Sequence, residues 1–180
     1  MSEMGRDVRS AAFRACLSRF ASGVTVVTYD AGAERRGITV NAFSSVSLEP
    51  PLVLVSIARR THSHDLLAAM PFTVNVLRAG QEDVARAFAG VGAAGAVRWR
   101  DGAVGMSPRL DGALAFIACE PYRAYDGGDH TLYLGRVVDV GYGDGDALGY
   151  FCGRFMPVPR PAPSVPELPY DPFEMPYDAL

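Results

Sequence analysis

The chain has 180 residues and a mass of 19.2 kDa, the size of one domain that can bury a core without covalent staples. Hydrophobic residues make up 49 % and charged residues 21 %, which excludes disorder of the whole chain. All 17 positive charges are arginine and the net charge is −3; residues 157–180 hold Arg160 against Glu167, Asp171, Glu174 and Asp178, so the remainder is neutral and lacks the long-range field that would attract nucleic acid or an anionic membrane.

From Val8 to Phe20, the residues Ala12, Phe13, Cys16, Leu17 and Phe20 recur at three- and four-residue steps and predict a helix that Gly23 stops. β texture follows, rich in Val, Ile and Thr: Val24 to Tyr29, Gly37 to Val40 after a polar turn, and Leu52 to Ile57 behind Pro50 and Pro51. By composition Thr39 to Pro51 reads as a Ser-rich connecting loop. Ser63 is suited to cap a short helix through Met70 that Pro71 ends; Phe72 to Leu77 is a strand, Gln81 to Phe88 a second short helix and Ala89 to Ala96 a loop. Leu114 to Tyr125 and Thr131 to Tyr142 form a long hairpin around Gly127 and Gly128, and Leu148 to Cys152 is the last strand.

Strands in meander order, with too few helices to cross over a parallel sheet, favour an antiparallel barrel with a few short flanking helices. Eight of the 13 prolines lie between Pro157 and Pro176, which divides the chain into a domain at 1–156 and a Pro-rich acidic tail at 157–180 unable to form a sheet or helix interior. In that tail Tyr170, Phe173, Met175 and Tyr177 are apolar anchors suited to docking, on a second copy of the chain or on a partner protein, with a free linker as the alternative.

Cys16, Cys119 and Cys152 are odd in number and contain no C-x-x-C pair, against a disulfide framework or a zinc site; each is expected to fill a core gap. No stretch approaches a membrane span and the N-terminus has no apolar signal core, so a cytoplasmic protein is expected. Gly90, Gly92 and Gly95 match G-x-G-x-x-G, but they follow a helix and not a strand, which denies the dinucleotide-binding turn. His62 and His64 with Asp65 lack a third ligand, so no metal is expected.

Three polar clusters carry the chemistry. Thr39 to Pro51 concentrates small hydroxyl residues and Asn41, which let a backbone approach a planar ligand and bond its polar edge. Ser56 to His64 ends a strand with Arg59, Thr61 and Ser63, a phosphate-binding set. Gly128-Asp129-His130 sets His130 at a strand start, where a side chain can face an open barrel mouth.

With the blocks Phe20 to Thr28, Phe72 to Leu77, Gly112-Ala113 and Leu134 to Val137, these clusters resemble the flavin reductase-like domain family, the flavin:NAD(P)H oxidoreductases of two-component monooxygenases, from about Phe13 to Phe155. The resemblance implies an FMN-binding split barrel with a Greek-key core, paired as a homodimer. It implies flavin contacts at Thr39, Asn41, Ala42, Ser45 and Ser47, a ribityl-phosphate site at Ser56, Ala58 and Arg59, and NAD(P)H binding at Gly128, Asp129 and His130, with His130 as the catalytic residue. Ala42 stands where relatives often carry a hydroxyl. The implied function is reduction of free FMN or FAD by NADH or NADPH, supplying a separate oxygenase. The alternatives are a split-barrel flavoprotein that keeps its flavin for another substrate, and a non-catalytic flavin-binding module.

Overall fold

The run from Val24 to Tyr29 lacks the alternation of a surface strand because both of its faces are covered. In the computed structural model, which describes residues 11–61, 64–92, 97–102 and 105–162, strand β1 (Ser22–Gly23) leads into β2 (Thr25–Ala31). Val27 and Tyr29 enter one core with Val55, Ile57, Phe72 and Val74. Val24 and Val26 enter a second core with Leu77, Ala85, Leu110 and Leu148. The two periodicities of a strand thus fill both sides of the same sheet.

The chain continues as β3 (Glu34–Val40), β4 (Phe43–Leu48), β5 (Pro51–Ala58) and β6 (Phe72–Val76), then helix α2 (Glu82–Phe88) after the N-terminal helix α1 (residues 11–17). Short strands β7 (Trp99–Arg100) and β8 (Arg109–Leu110) precede β9 (Ala115–Gly127), β10 (His130–Tyr142), β11 (Ala147–Phe151) and β12 (Arg154–Val158). Seven strands form one antiparallel sheet in the order β3-β2-β6-β9-β10-β5-β4. It curls so that Val40, Tyr133 and Cys119 reach the same core as Val27 and Val55, a mainly β, split-barrel-like form.

The order corrects the expected meander. Sequence neighbours pair as hairpins in β2–β3, β4–β5 and β9–β10, but β10 lies between β9 and β5, so the chain must jump from β5 to β6 through residues 59–71. Local texture marks strands without saying which edges meet. The expected helix from Ser63 to Met70 falls on this crossover: residues 64–69 are turns and Met70 a bend, and Ser63 lies outside the described residues. Tertiary bonds override helix propensity here, since His64 pairs through Nε2 with Thr131 Oγ1 at 2.7 Å and the Tyr133 hydroxyl donates to the His64 carbonyl. Leu67, 1 % exposed, anchors the crossover in the core.

Other elements shift as well. The Ser-rich segment forms strand β4 at a sheet edge, where hydroxyl side chains are cheap to expose. Leu148 to Cys152 is not the last strand: β12 follows and runs through Pro157 opposite Leu148 and Val158 opposite Ala147. Proline is tolerated because β12 pairs on one side only. Residues 163–180, with Tyr170, Phe173, Met175 and Tyr177, lie outside the described residues, as does Val8. Of the cysteines only Cys119 fills the core, where burial pushes its thiol up to about 12. Cys16 is exposed on α1 and Cys152 is partly buried.

Asn75, wholly buried on β6, ties three segments: Nδ2 donates to Val26 O at 2.9 Å and Thr28 Oγ1 at 3.0 Å, and Leu110 N donates to Asn75 Oδ1 at 2.8 Å. Removing it leaves buried partners unsatisfied. Asn75→Leu is expected to lower unfolding stability by about 2–4 kcal/mol in urea titration. A loss under about 0.5 kcal/mol, the range of neutral surface changes, would show the tie to be dispensable.

Candidate functional site

Strand β3 is paired on one side only, with β2, and β5 loses its β4 partner beyond Val55. Between these free edges opens a cleft of about 790 Å³. It is the split in the barrel. One wall is β3, the other the end of β5 and the start of β10, and the C-terminal end of α2 closes the third side through Phe88, Ala89 and Gly90.

Of the residues expected to bind ligand, Thr39, Asn41, Ala42, Ser56, Ala58 and His130 line this cleft. Asn41 and Ala42 form the corner between β3 and β4, pinned where Ser56 N donates to Ala42 O at 3.0 Å. Ala58 and His130 are register partners across β5 and β10. The hairpin turn delivers His130 there: Gly128 alone adopts a positive φ, +78°, at the first loop position, as a two-residue connection requires, and its N–H donates to Asp126 Oδ1 at 2.8 Å. Asp129 Oδ1 lies 2.7 Å from His130 Nδ1 and fixes the ring, leaving Nε2 without a partner among the described residues. The hydrogen bond to His130 holds the Asp129 carboxyl below its usual range, with the charge of Arg60 adding to the effect.

Thr39 serves first as a brace, because its Oγ1 donates to Ala85 O at 2.7 Å and hangs α2 on β3. Gly128 and Asp129 stand at the rim outside the lining, and Ser45 and Ser47 lie farther along β4, either side of a register shift. Arg59 is also outside the lining. Its Nη2 pairs with Asp126 Oδ2 at 2.7 Å, and its N–H donates to Asp129 O at 3.0 Å, which ties β5 to the hairpin tip. The cleft takes Arg60 instead, which forms no ion pair among the described residues. β5 ends at Ala58, and Arg59 and Arg60 both lie in the turn that follows, so it is the turn and not strand alternation that sends Arg60 and Thr61 to the cleft.

The cleft also contains Arg35 and Arg36 of β3 and Phe88, the last residue of α2, none of which the sequence marked as a site residue. Arg35 pairs with Asp101, and Arg36 with Glu34 at 2.7 Å. Thr61 lines it too, its Oγ1 donating to Ala58 O at 2.8 Å. Gly90 and Gly92 follow α2 as turn and bend, while His62, Ser63 and Gly95 lie outside the described residues.

A sequence profile described as "Flavin reductase like domain" matches residues 17–159. The chain belongs to this family. It is 47 % identical over 126 residues to an NADH-dependent FAD reductase of Streptomyces globisporus, covering 66 % of this chain and 69 % of that protein. It is 44 % identical over 142 residues to the reductase component of 4-hydroxyphenylacetate 3-monooxygenase of Thermus thermophilus, covering 78 % and 91 %. Among solved structures, flavin reductase PheA2 superposes with a TM-score of 0.79 at 33 % identity, covering 89 % of this chain and all of that one. The NADH:FAD oxidoreductase SgcE6 of Streptomyces globisporus, in complex with NAD and FAD fragments, gives 0.75 at 38 % identity over 87 % and 94 %. The family resemblance drawn from the ordered blocks is thereby established.

Gly37 sets the position of the α2 wall. A Cβ there would meet Phe88 Cε1 at 2.9 Å and Val26 Cγ1 at 3.1 Å, and the Phe88 ring is itself packed edge-on against Trp99 with centroids 5.8 Å apart. Gly37→Val is expected to cost about 1–3 kcal/mol by overpacking and to shift the emission of Trp99, the single tryptophan. Unchanged stability and emission would mean that Phe88 yields freely.

Proposed function

We propose that the protein is an NADH-dependent flavin reductase that supplies reduced FMN or FAD to a separate flavin-dependent monooxygenase. The observation that carries this reading is a cleft at a free sheet edge that combines small walls at Ala42 and Ala58, an uncommitted cation at Arg60 and an imidazole oriented by Asp129. Such a site orients ligands more than it attacks them.

The residues fit a flavin. Ala42 and Ala58 leave room for a flat ring, the Asn41 amide and the free β3 edge offer donors and acceptors to its polar rim, and Arg60 with Thr61 suits a phosphate. Flavin and NADH, when bound, supply the hydride acceptor and donor. His130 presents Nε2 to the bound nucleotide while Asp129 acts as its positioning residue. Arg59, expected to hold the ribityl phosphate, serves instead to tie β5 to the hairpin tip, and the phosphate falls to Arg60. Phe88 and α2 exclude water from one side.

We further propose a homodimer. Phe13, Leu17 and Phe20 near α1 and Val138, Val140 and Tyr142 on β10 are apolar and exposed, a pattern that marks interaction faces. No helix among the described residues is long and apolar enough to cross a membrane, and consumption of NADH suits a cytoplasmic enzyme.

A steady-state assay crossing NADH and NADPH with riboflavin, FMN and FAD tests the reading; free flavin is expected to turn over with NADH. Retention of flavin through dialysis with turnover of another substrate would favour a flavoprotein that keeps its cofactor, and flavin binding without NADH oxidation a carrier. Arg60→Ala is expected to weaken FMN binding by about 1.5–3 kcal/mol while sparing riboflavin. Equal losses for both ligands would make its role structural, and a larger FMN-selective loss in Arg59→Ala would return the phosphate site to Arg59.

His130→Ala is expected to raise the KM for NADH several-fold with the flavin Kd close to wild type. Unchanged kinetics would leave His130 an exposed hairpin residue.

A further inference from the structure

After β12 the chain leaves the fold beside a groove. Arg160 is held at the connection between β10 and β11, where its N–H donates to Asp146 Oδ1 at 3.0 Å and its guanidinium pairs with Asp144. Gly143 of that same connection lines a cavity of about 350 Å³ together with Arg109, Leu110, Leu114 and Phe116. We propose that the Pro-rich acidic tail, residues 163–180, folds back from this exit point and seats one Pro-Tyr-Asp unit in the groove of its own chain. The proposal stands apart from the flavin-reductase reading, because the groove and the cleft share no lining residue.

The groove combines an apolar side with unpaired cations. Leu110, Leu114 and Phe116 supply the apolar side, and the guanidinium of Arg109 lies over the Phe116 ring, 4.0 Å from its centroid. Arg109 forms no ion pair among the described residues, and its Nε is buried without a hydrogen-bond partner. A guanidinium fixed in this way offers its plane to a second aromatic ring and its edge to a carboxylate. Arg78 spans groove and exit, since its Nε donates to Gly112 O at 3.4 Å and its Nη1 to Asp144 O; it too has no carboxylate partner among the described residues. Asp111, the carboxylate in the groove, is already taken by Arg100.

The tail supplies what these groups lack. It holds Glu167, Asp171, Glu174 and Asp178 with no Arg, Lys or His, and Pro-Tyr-Asp occurs twice, at 169–171 and 176–178. From Ala162 to Asp171 an extended Pro-rich chain reaches about 28 Å at ~3.1 Å per residue. With Arg160 pinned next to Gly143, the short tether favours the chain's own groove over that of a second copy.

Chymotryptic cleavage at Tyr170, Phe173 and Tyr177, followed by mass spectrometry, reads this docking in the full-length protein. Wild type is expected to be cut about tenfold more slowly than the tail variant Asp171→Asn/Asp178→Asn or Arg109→Gln, because cleavage follows the undocked fraction. High salt should abolish the difference. Amide exchange over residues 109–116 should quicken in the tail variant, which places the contact in the groove. That variant alters no residue of the barrel, so the test survives a folding defect in Arg109→Gln, which its urea midpoint would reveal. Equal cleavage of wild type and the tail variant, or unchanged exchange over 109–116, overturns the proposal. So does protection that grows with protein concentration, which would put the tail on a second copy, or that appears only when another protein is added.

Discussion

The free outer edge of β3 is the constraint on which the site depends. A strand paired on one side leaves a row of backbone donors and acceptors that must find water, a partner or a ligand. Here the opposite bank of the split is not another strand edge in register but the ends of β5 and β10, held at a distance by the corner bond from Ser56 N to Ala42 O. The barrel cannot zip shut along this seam, and the seam becomes a cleft. Such a site comes from the incomplete closure of a sheet, without the strand-turn-helix crossover that a nucleotide-binding fold of parallel strands requires.

The two cores hold the banks of that seam in place. The inner one fixes β2, β3 and β5 relative to one another through Val27, Val40 and Val55. The outer one carries α2, whose Ala85 is wholly buried with Val26 and Leu77. Thr39 bonds α2 to β3, and Gly37 lets Phe88 come close to that strand, so the helix acts as a fixed wall. The His130 imidazole is positioned by a different device, the rigid two-residue turn at the end of two 13-residue strands. Long paired strands carry a side chain to a site more reproducibly than a loop of the same length, because every residue along them is bonded across the sheet.

Charge is apportioned with the same economy. Arg35, Arg36, Arg59, Arg86 and Arg136 each face a carboxylate, and Arg100 bonds Asp111, whose acidity it strengthens. These exposed pairs add little stability, yet each cancels a positive charge locally. Arg60 forms no ion pair among the described residues, so a phosphate in the cleft would meet local attraction without the long-range field that would also draw polyanions.

The sequence by itself determined the β class, the long hairpin with its turn at Gly128, the second helix and the residues Asn41, Ala42, Ser56, Ala58 and His130, because strand texture, turn chemistry and ordered blocks are local properties. What only the tertiary structure decided was non-local. The insertion of β10 between β9 and β5 depends on which strand edges meet across the barrel. The turns at 64–69 exist because His64, Tyr133 and Leu67 find partners there that outweigh local helix preference. Pro157 can sit in a strand because that strand is an edge, and Cys16 lies outside the core because nothing among the described residues covers the apolar face of α1. Periodicity tells which residues seek cover, and only the folded sheet says what covers them.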